Sequence, residues 1–185
     1  MAYSREQFIK KYWQAFVNAT SGTGIFPEVM AAQAILESSR KSSDGNYYVG
    51  LSELTQKANN YFGIKDSAGW TGPTYNISTK EYSNGVTHNE TDAFRAYGSP
   101  EESFADYVKF LQSNPRYASA GVFTASTPAE QSQRLQAAGY ATDPNYSTLL
   151  QSVMIGFKKY IPTIAEGGGI ALLLFFLYLT YKHYE

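Results

Sequence analysis

Few side chains in this sequence are placed to do acid–base chemistry, and Glu37 stands out among them. It closes the run Val29-Met30-Ala31-Ala32-Gln33-Ala34-Ile35-Leu36, so one acid terminates a densely apolar helical stretch. Desolvation there disfavours the ionised form, and the negative end of the helix dipole pushes the same way. A carboxyl that keeps its proton near neutrality can serve as a general acid. Gln33, one turn earlier on the same face, is placed to hydrogen-bond that acid or a substrate. Glu81, in Ser78-Thr79-Lys80-Glu81-Tyr82, precedes an Asn-Gly turn. A helix-end acid opposing a second carboxylate on a hairpin is one way to build the pair that glycoside hydrolysis needs. Glu53, Glu90 and Asp92 are weaker candidates for the second place. Taken singly, Glu37 and Glu81 also read as solvated surface residues.

Composition closes off other chemistries. The 185 residues contain no Cys and only two His, far apart, which argues against disulfides, thiol nucleophiles and His- or Cys-ligated metals. Lys and Arg number 15 against 16 Asp and Glu, a net charge of -1, so a strongly basic nucleic-acid binder is not expected. No Walker loop, dinucleotide fingerprint, His-Glu-x-x-His or Gly-x-Ser-x-Gly motif is present. Asp44-Gly45-Asn46 lacks the spaced acidic ligands of a calcium loop and reads as a turn. No metal and no cofactor are expected. The 16 Tyr suit half-wet surfaces such as sugar-binding grooves, and equally a Tyr-rich core.

The elements that must position these acids follow from caps and periodicity. Ser4 with Gln7 reads as a capping box opening a helix to about Ala19, with Phe8, Tyr12, Trp13 and Phe16 on its apolar side. Pro27 suits the first position of the helix that ends near Ser38. A polar stretch from Ser42 to Asn60 holds a short helix after Ser52. Residues 77–82 and 86–97 flank Ser83-Asn84-Gly85 as a hairpin, the only sheet of any size expected. Helices then open at Ser99-Pro100, at Thr127-Pro128 with a capping box, and at Asp143-Pro144. Helices grouped around one hairpin make an α+β domain.

Six segments, in order along the chain, carry a resemblance. They are Ala32-Gln33-Ala34-Ile35-Leu36-Glu37-Ser38, Asn59-Asn60-Tyr61-Phe62-Gly63-Ile64-Lys65, Thr79-Lys80-Glu81-Tyr82, Phe94-Arg95-Ala96-Tyr97, Glu102-Ser103-Phe104-Ala105-Asp106-Tyr107 and Gly139-Tyr140-Ala141-Thr142-Asp143-Pro144-Asn145-Tyr146. Together they resemble glycoside hydrolase family 73, the bacterial and phage endo-β-N-acetylglucosaminidases that include flagellar-rod muralytic domains. The resemblance spans roughly Ser4 to Tyr160. It implies a lysozyme-like fold, mainly helical with one β-hairpin lobe and a groove for peptidoglycan glycan strands. It puts Glu37 at the family's catalytic acid position and Glu81 at the hairpin acid. It implies a substrate-binding set of Gln33, Asn60, Phe62, Tyr97, Tyr140 and Tyr146. Many relatives follow the Glu-Ser pair with Gly-Trp-Gly, whereas here Ser39-Arg40-Lys41 follows, which leaves the acid in place and alters the adjoining loop.

The expected domain covers residues 1–161, with a Gly-containing linker at 162–169 and an apolar segment at 170–185. Gly167 to Tyr181 is uncharged and would span about 22 Å as a helix against a hydrocarbon core of about 30 Å. An apolar C-terminal helix inserting into a membrane is expected, with flanking Tyr and Lys182 at the interface. No signal peptide is read at the N-terminus, so the expectation is a chain made in the cytoplasm that acts at the cell wall. The whole reads as a glycosidase of phage-type cell lysis or wall penetration, membrane-associated or carried in a virion with lysis-machinery partners. A lytic transglycosylase on the same fold and a non-catalytic glycan-binding or virion structural protein are the alternatives.

Overall fold

The computed structural model describes residues 2–67, 69–83 and 86–162, with side chains described outside 79–90. The linker from 163 onward and the apolar segment at 170–185 lie outside the described residues. No helix among the described residues is long and apolar enough to cross a membrane.

The first helix, α1 (Arg5–Thr20), starts with the expected capping box: Ser4 Oγ accepts from Gln7 N at 3.2 Å, and Gln7 Oε1 accepts from Ser4 N at 2.9 Å. Helix α2 (Pro27–Ser38) is buried from Val29 to Ile35 on every side, which is the pattern of a helix at the centre of a domain. It packs against α1, α6 (Pro128–Ala137) and α7 (Tyr146–Phe157). Phe8, Tyr12 and Phe16 of α1 meet Tyr61 and Phe104, the latter on α4 (Pro100–Ser113), in an aromatic core. These rings sit 4.5–5.7 Å apart, mostly tilted or edge-on, as their quadrupoles favour.

The hairpin pairs β3 (Thr74–Ser83) with β4 (Val86–Arg95), from Thr74 opposite Arg95 to Ser83 opposite Val86. The first strand begins three residues before the expected 77. A second, two-residue antiparallel pair, β1 (Arg40–Lys41) with β2 (Tyr47–Tyr48), was not expected; β1 directly precedes the polar stretch that starts at Ser42, and β2 lies within it. Helix α3 (Glu53–Ala58), capped by Ser52, follows it. A short helix α5 (Pro115–Ser119) and a 3-10 turn at Val122–Thr124 were not expected. The α6 cap also differs from the expected capping box. Thr127 Oγ1 accepts from Glu130 N at 3.1 Å, but Glu130 reaches past the cap to accept from Ser126 N at 2.7 Å. Helix α7 starts at Tyr146 because Asp143 folds back in an Asx turn, accepting from Asn145 N at 2.8 Å.

Asn60 ties the hairpin to the helices. Its amide donates to Ile64 O and Arg95 O, both at 2.9 Å, and accepts from Phe62 N and Ile64 N at 3.3 and 3.1 Å. A nearly buried ion pair adds a second tie, with Arg95 Nη1 2.9 Å from Asp106 Oδ2. The same oxygen accepts from the Tyr97 hydroxyl at 2.8 Å. Removing one partner of a buried pair strands the other charge. Asp106→Ala is therefore expected to cost about 3 kcal/mol. In urea melts, the midpoint should drop with the slope unchanged; an unmoved midpoint would show that the pair contributes nothing.

Candidate active site

Glu37 sits in the last turn of α2, and its helix end is closed by side chains. Ser38 Oγ and Ser39 Oγ donate back to Ala34 O and Ile35 O, both at 2.6 Å. Arg40 Nη1 donates to Glu37 O at 3.1 Å and to Ser39 O at 2.7 Å, a cation at the negative end of the dipole. The Glu37 side chain is half-buried and lines two grooves that share it and Gly63. One arm, of about 560 Å³, runs along Phe62, Lys65, Arg116, Tyr140 and Thr142. The other, of about 380 Å³, runs along Arg40, Glu53, Asn60 and the hairpin residues Ile77 and Phe94. Gly63 has φ 65°, a left-handed conformation that strains any side chain, so the floor between the arms is glycine. An apolar cavity of about 390 Å³ beside α7 holds none of these groups. The two arms meet at a perturbed carboxyl, which makes them the candidate site.

Burial is the largest influence on Glu37 and pushes its pKa up; the hydrogen bond from Tyr146 and the charge of Arg40 act against it. Tyr146 donates its hydroxyl to Glu37 Oε1 at 3.4 Å. Tyr146 in turn accepts from Gln33 Nε2 at 2.9 Å, and the amide oxygen of Gln33 accepts from the Tyr107 hydroxyl. Tyr140 stacks on Tyr146 with centroids 5.6 Å apart, and Phe62 stacks on Tyr107 at 4.3 Å. Burial likewise raises the Tyr107, Tyr140 and Tyr146 hydroxyls, so all three remain neutral donors.

Of the residues singled out from the sequence, the structure gathers Glu37, Tyr146, Gln33, Tyr140 and Phe62 into one cluster. Gln33 is fully buried and reaches Glu37 only through Tyr146. Asn60 borders the hairpin arm, but its amide is spent on four backbone groups. Tyr97 is buried, with its hydroxyl on Asp106, and lines neither arm. Glu81 stands on β3 opposite His88; its side chain lies outside those described. Of the weaker acids, Asp92 is paired with Lys65 at 2.6 Å, and Glu53 lines the hairpin arm while accepting from Tyr75 at 2.9 Å. The side chain of Glu90 is also outside those described. Sequence reasoning missed Arg40 as a groove residue, although it stands three residues after the acid, just beyond the helix end. It also missed the Tyr107 hydroxyl, 74 residues from its partner Gln33. Among the described residues, no group of three or more His, Asp or Glu is arranged to hold a metal ion.

A groove with a half-buried acid at the end of a central helix, a hairpin on one side and tyrosines on the other, defines a glycoside hydrolase of lysozyme-like fold. The profile of the family described as mannosyl-glycoprotein endo-beta-N-acetylglucosaminidase matches residues 13–159. The chain belongs to this glucosaminidase family, glycoside hydrolase family 73, a family of glycosidases. It is 41% identical over 148 residues to the peptidoglycan hydrolase FlgJ of Salmonella typhimurium, covering 80% of this chain and 45% of that protein. The solved glycoside hydrolase domain of that FlgJ, C-terminally truncated, matches with a TM-score of 0.63 at 35% identity, over 84% of this chain and 99% of the domain. The catalytic domain of the autolysin Auto from Listeria monocytogenes matches with a TM-score of 0.68 at 29% identity, over 84% of this chain and 86% of that one. The chain spans less than half the length of the curated FlgJ proteins it matches.

The Arg40 charge favours ionised Glu37, so its removal should raise the Glu37 pKa further. In the Arg40→Gln variant, a carbon-13 titration of the glutamate carboxyls should place the Glu37 midpoint higher than in the parent chain. A midpoint that stays or falls would contradict this electrostatic account.

Proposed function

We propose that the chain is a peptidoglycan hydrolase cutting the β-1,4 bond on the reducing side of N-acetylglucosamine, between it and N-acetylmuramic acid. Family membership supports this reading, and one observation carries it: the Glu37 carboxyl, held toward its protonated form, lies where the two groove arms meet. Glu37 gives its proton to the bridging oxygen, which leaves as the 4-hydroxyl of N-acetylmuramic acid. The anomeric carbon of N-acetylglucosamine passes through an oxocarbenium-like state, and water adds to it, leaving a reducing end. Glu81, on the hairpin, activates the water or stabilises the positive charge. Tyr140, with Phe62 beneath the same arm, offers aromatic surface to the sugars.

Because general-acid catalysis contributes about 10²–10⁴-fold, Glu37→Gln should lower release of soluble fragments from purified sacculi by about that factor. Full wall-lytic activity in this variant would dismiss the assignment. Mass spectrometry of the wild-type products should show reducing N-acetylglucosamine ends; anhydromuramic ends would instead identify a lytic transglycosylase, and glycan binding without fragments a binding module.

The biological role belongs to the same proposal: a phage-type lysin in lysis or wall penetration, attached to a membrane through residues 170–185. The support is the uncharged run from Gly167 to Tyr181. Fractionation of the chain with and without residues 167–185 should show membrane association only when they are present. Equal soluble behaviour of both forms would overturn the attachment.

A further inference from the structure

The hydrogen bonds behind Glu37 run in one direction. The Tyr107 hydroxyl, fully buried, donates to the Gln33 amide oxygen. That leaves the amide nitrogen to face Tyr146, and it donates to the Tyr146 oxygen at 2.9 Å. A phenol has a single proton, and with its oxygen occupied by the amide, Tyr146 sends that proton to Glu37 Oε1 at 3.4 Å. An amide has one end that only accepts and one that only donates. A turn of the Gln33 amide would therefore reverse the chain: Tyr146 would donate to Gln33 and present only lone pairs to Glu37. Tyr107 prevents this, because its hydroxyl needs the amide oxygen in this buried place.

We propose that Gln33 and Tyr107 are positioning residues that fix this polarity, so that Oε1 of Glu37 is an acceptor in both ionisation states and the transferable proton is confined to Oε2. The inference rests on the reading of Glu37 as the general acid. Gln33 and Tyr107 touch no sugar; they act through Tyr146. A carboxyl with two equivalent oxygens would place its proton on the wrong one part of the time. Here the proton is presented from one oxygen only, which is a preorganised donor.

Other groups also bear on the Glu37 carboxyl. Arg40 faces it from β1, Tyr140 from the loop before α7, and Glu53 from α3 along the hairpin arm. Lys65, Asp66 and Arg116 line the other arm. Glu81 and His88 stand opposite each other in the backbone register of the hairpin. Neither Tyr107→Phe nor Gln33→Met changes any of these, so a shift caused by either variant comes through Tyr146.

The experiment compares the full chain with Tyr107→Phe, Gln33→Met and Glu37→Gln. Sacculus digestion across pH gives kcat and KM, and carbon-13 titration of the glutamate carboxyls follows Glu37 directly. Tyr107→Phe removes only an oxygen that lies three hydrogen bonds from the acid. It should lower kcat by about tenfold, the worth of one well-placed hydrogen bond, with KM little changed. It should also move the Glu37 midpoint and the alkaline limb of kcat upward together, because the ionised carboxyl loses its donor. Gln33→Met removes the competing acceptor, so Tyr146 keeps donating to Glu37 and the midpoint should stay near that of the parent chain. Tyr107→His, which returns a buried donor, should recover part of the kcat and of the midpoint lost in Tyr107→Phe. A variant that only loosened the core would lower the melting temperature and leave the midpoint in place. That result in folded Tyr107→Phe, with Glu37→Gln inactive, would overturn this inference alone. An active Glu37→Gln would instead remove the general-acid reading on which it rests.

Discussion

A polar side chain at the centre of an apolar helix must find partners or destabilise the fold, and Gln33 finds them in two tyrosine hydroxyls. Tyr107 comes from α4 and Tyr146 from α7, so satisfying this one amide brings three helices together. The helix that carries Gln33 also carries Glu37 in its last turn. The requirement that closes the core thus also sets where the acid stands. Placing a carboxyl there costs stability, because burial opposes its ionisation. That cost is the property acid catalysis uses, and the hydroxyl of Tyr146 and the charge of Arg40 temper it.

The grooves follow from the same arrangement. Phe62 packs on Tyr107 and Tyr140 on Tyr146, so the aromatic floor of one arm rests on the two hydroxyl-bearing rings that hold Gln33. The wall opposite is the hairpin, fixed at its base by Asn60, by Arg95 on Asp106 and by the backbone bond from Arg95 N to Ile64 O. Trp70 adds a cation–π contact beneath the Arg95 guanidinium at 4.8 Å. Helical lobe and hairpin therefore meet along polar bonds, and the two groove arms lie between them.

Much of this was legible in the sequence where local signals were strong. The Ser4 and Gln7 box, Pro27 at a helix start and the long apolar run of α2 each have one physical reading, and each element formed there. The same periodicity puts Glu37 at the end of an apolar helix but leaves a solvated position open; the groove beside it is implied only by the family resemblance. Elements of two to five residues were not legible: β1, β2 and α5 are too short to show a period, and tertiary packing decides them. Reciprocal capping at Glu130 failed to form because Ser126 N, one residue before the cap, offered a competing donor. The motif segments run through the residues around Glu37 but do not say what each side chain does there. Asn60 and Tyr97 stand in such segments, and their polar atoms are consumed by Arg95 O and Asp106. Tyr107 stands in the sequence as the last residue of a motif segment; the fold shows that its oxygen is bonded to Gln33, which no local signal announces.

The fully engaged amide of Asn60 has a mechanical meaning. With both donors and both acceptor sites committed to the loop around it and to the last hairpin residue, the junction behaves as a fulcrum rather than a joint. Whatever adjusts the width of the cleft must bend the long lever beyond Ile77, since the pivot itself has no slack. A wider or narrower cleft on this frame would accordingly come from strand length and twist, with this asparagine left in place.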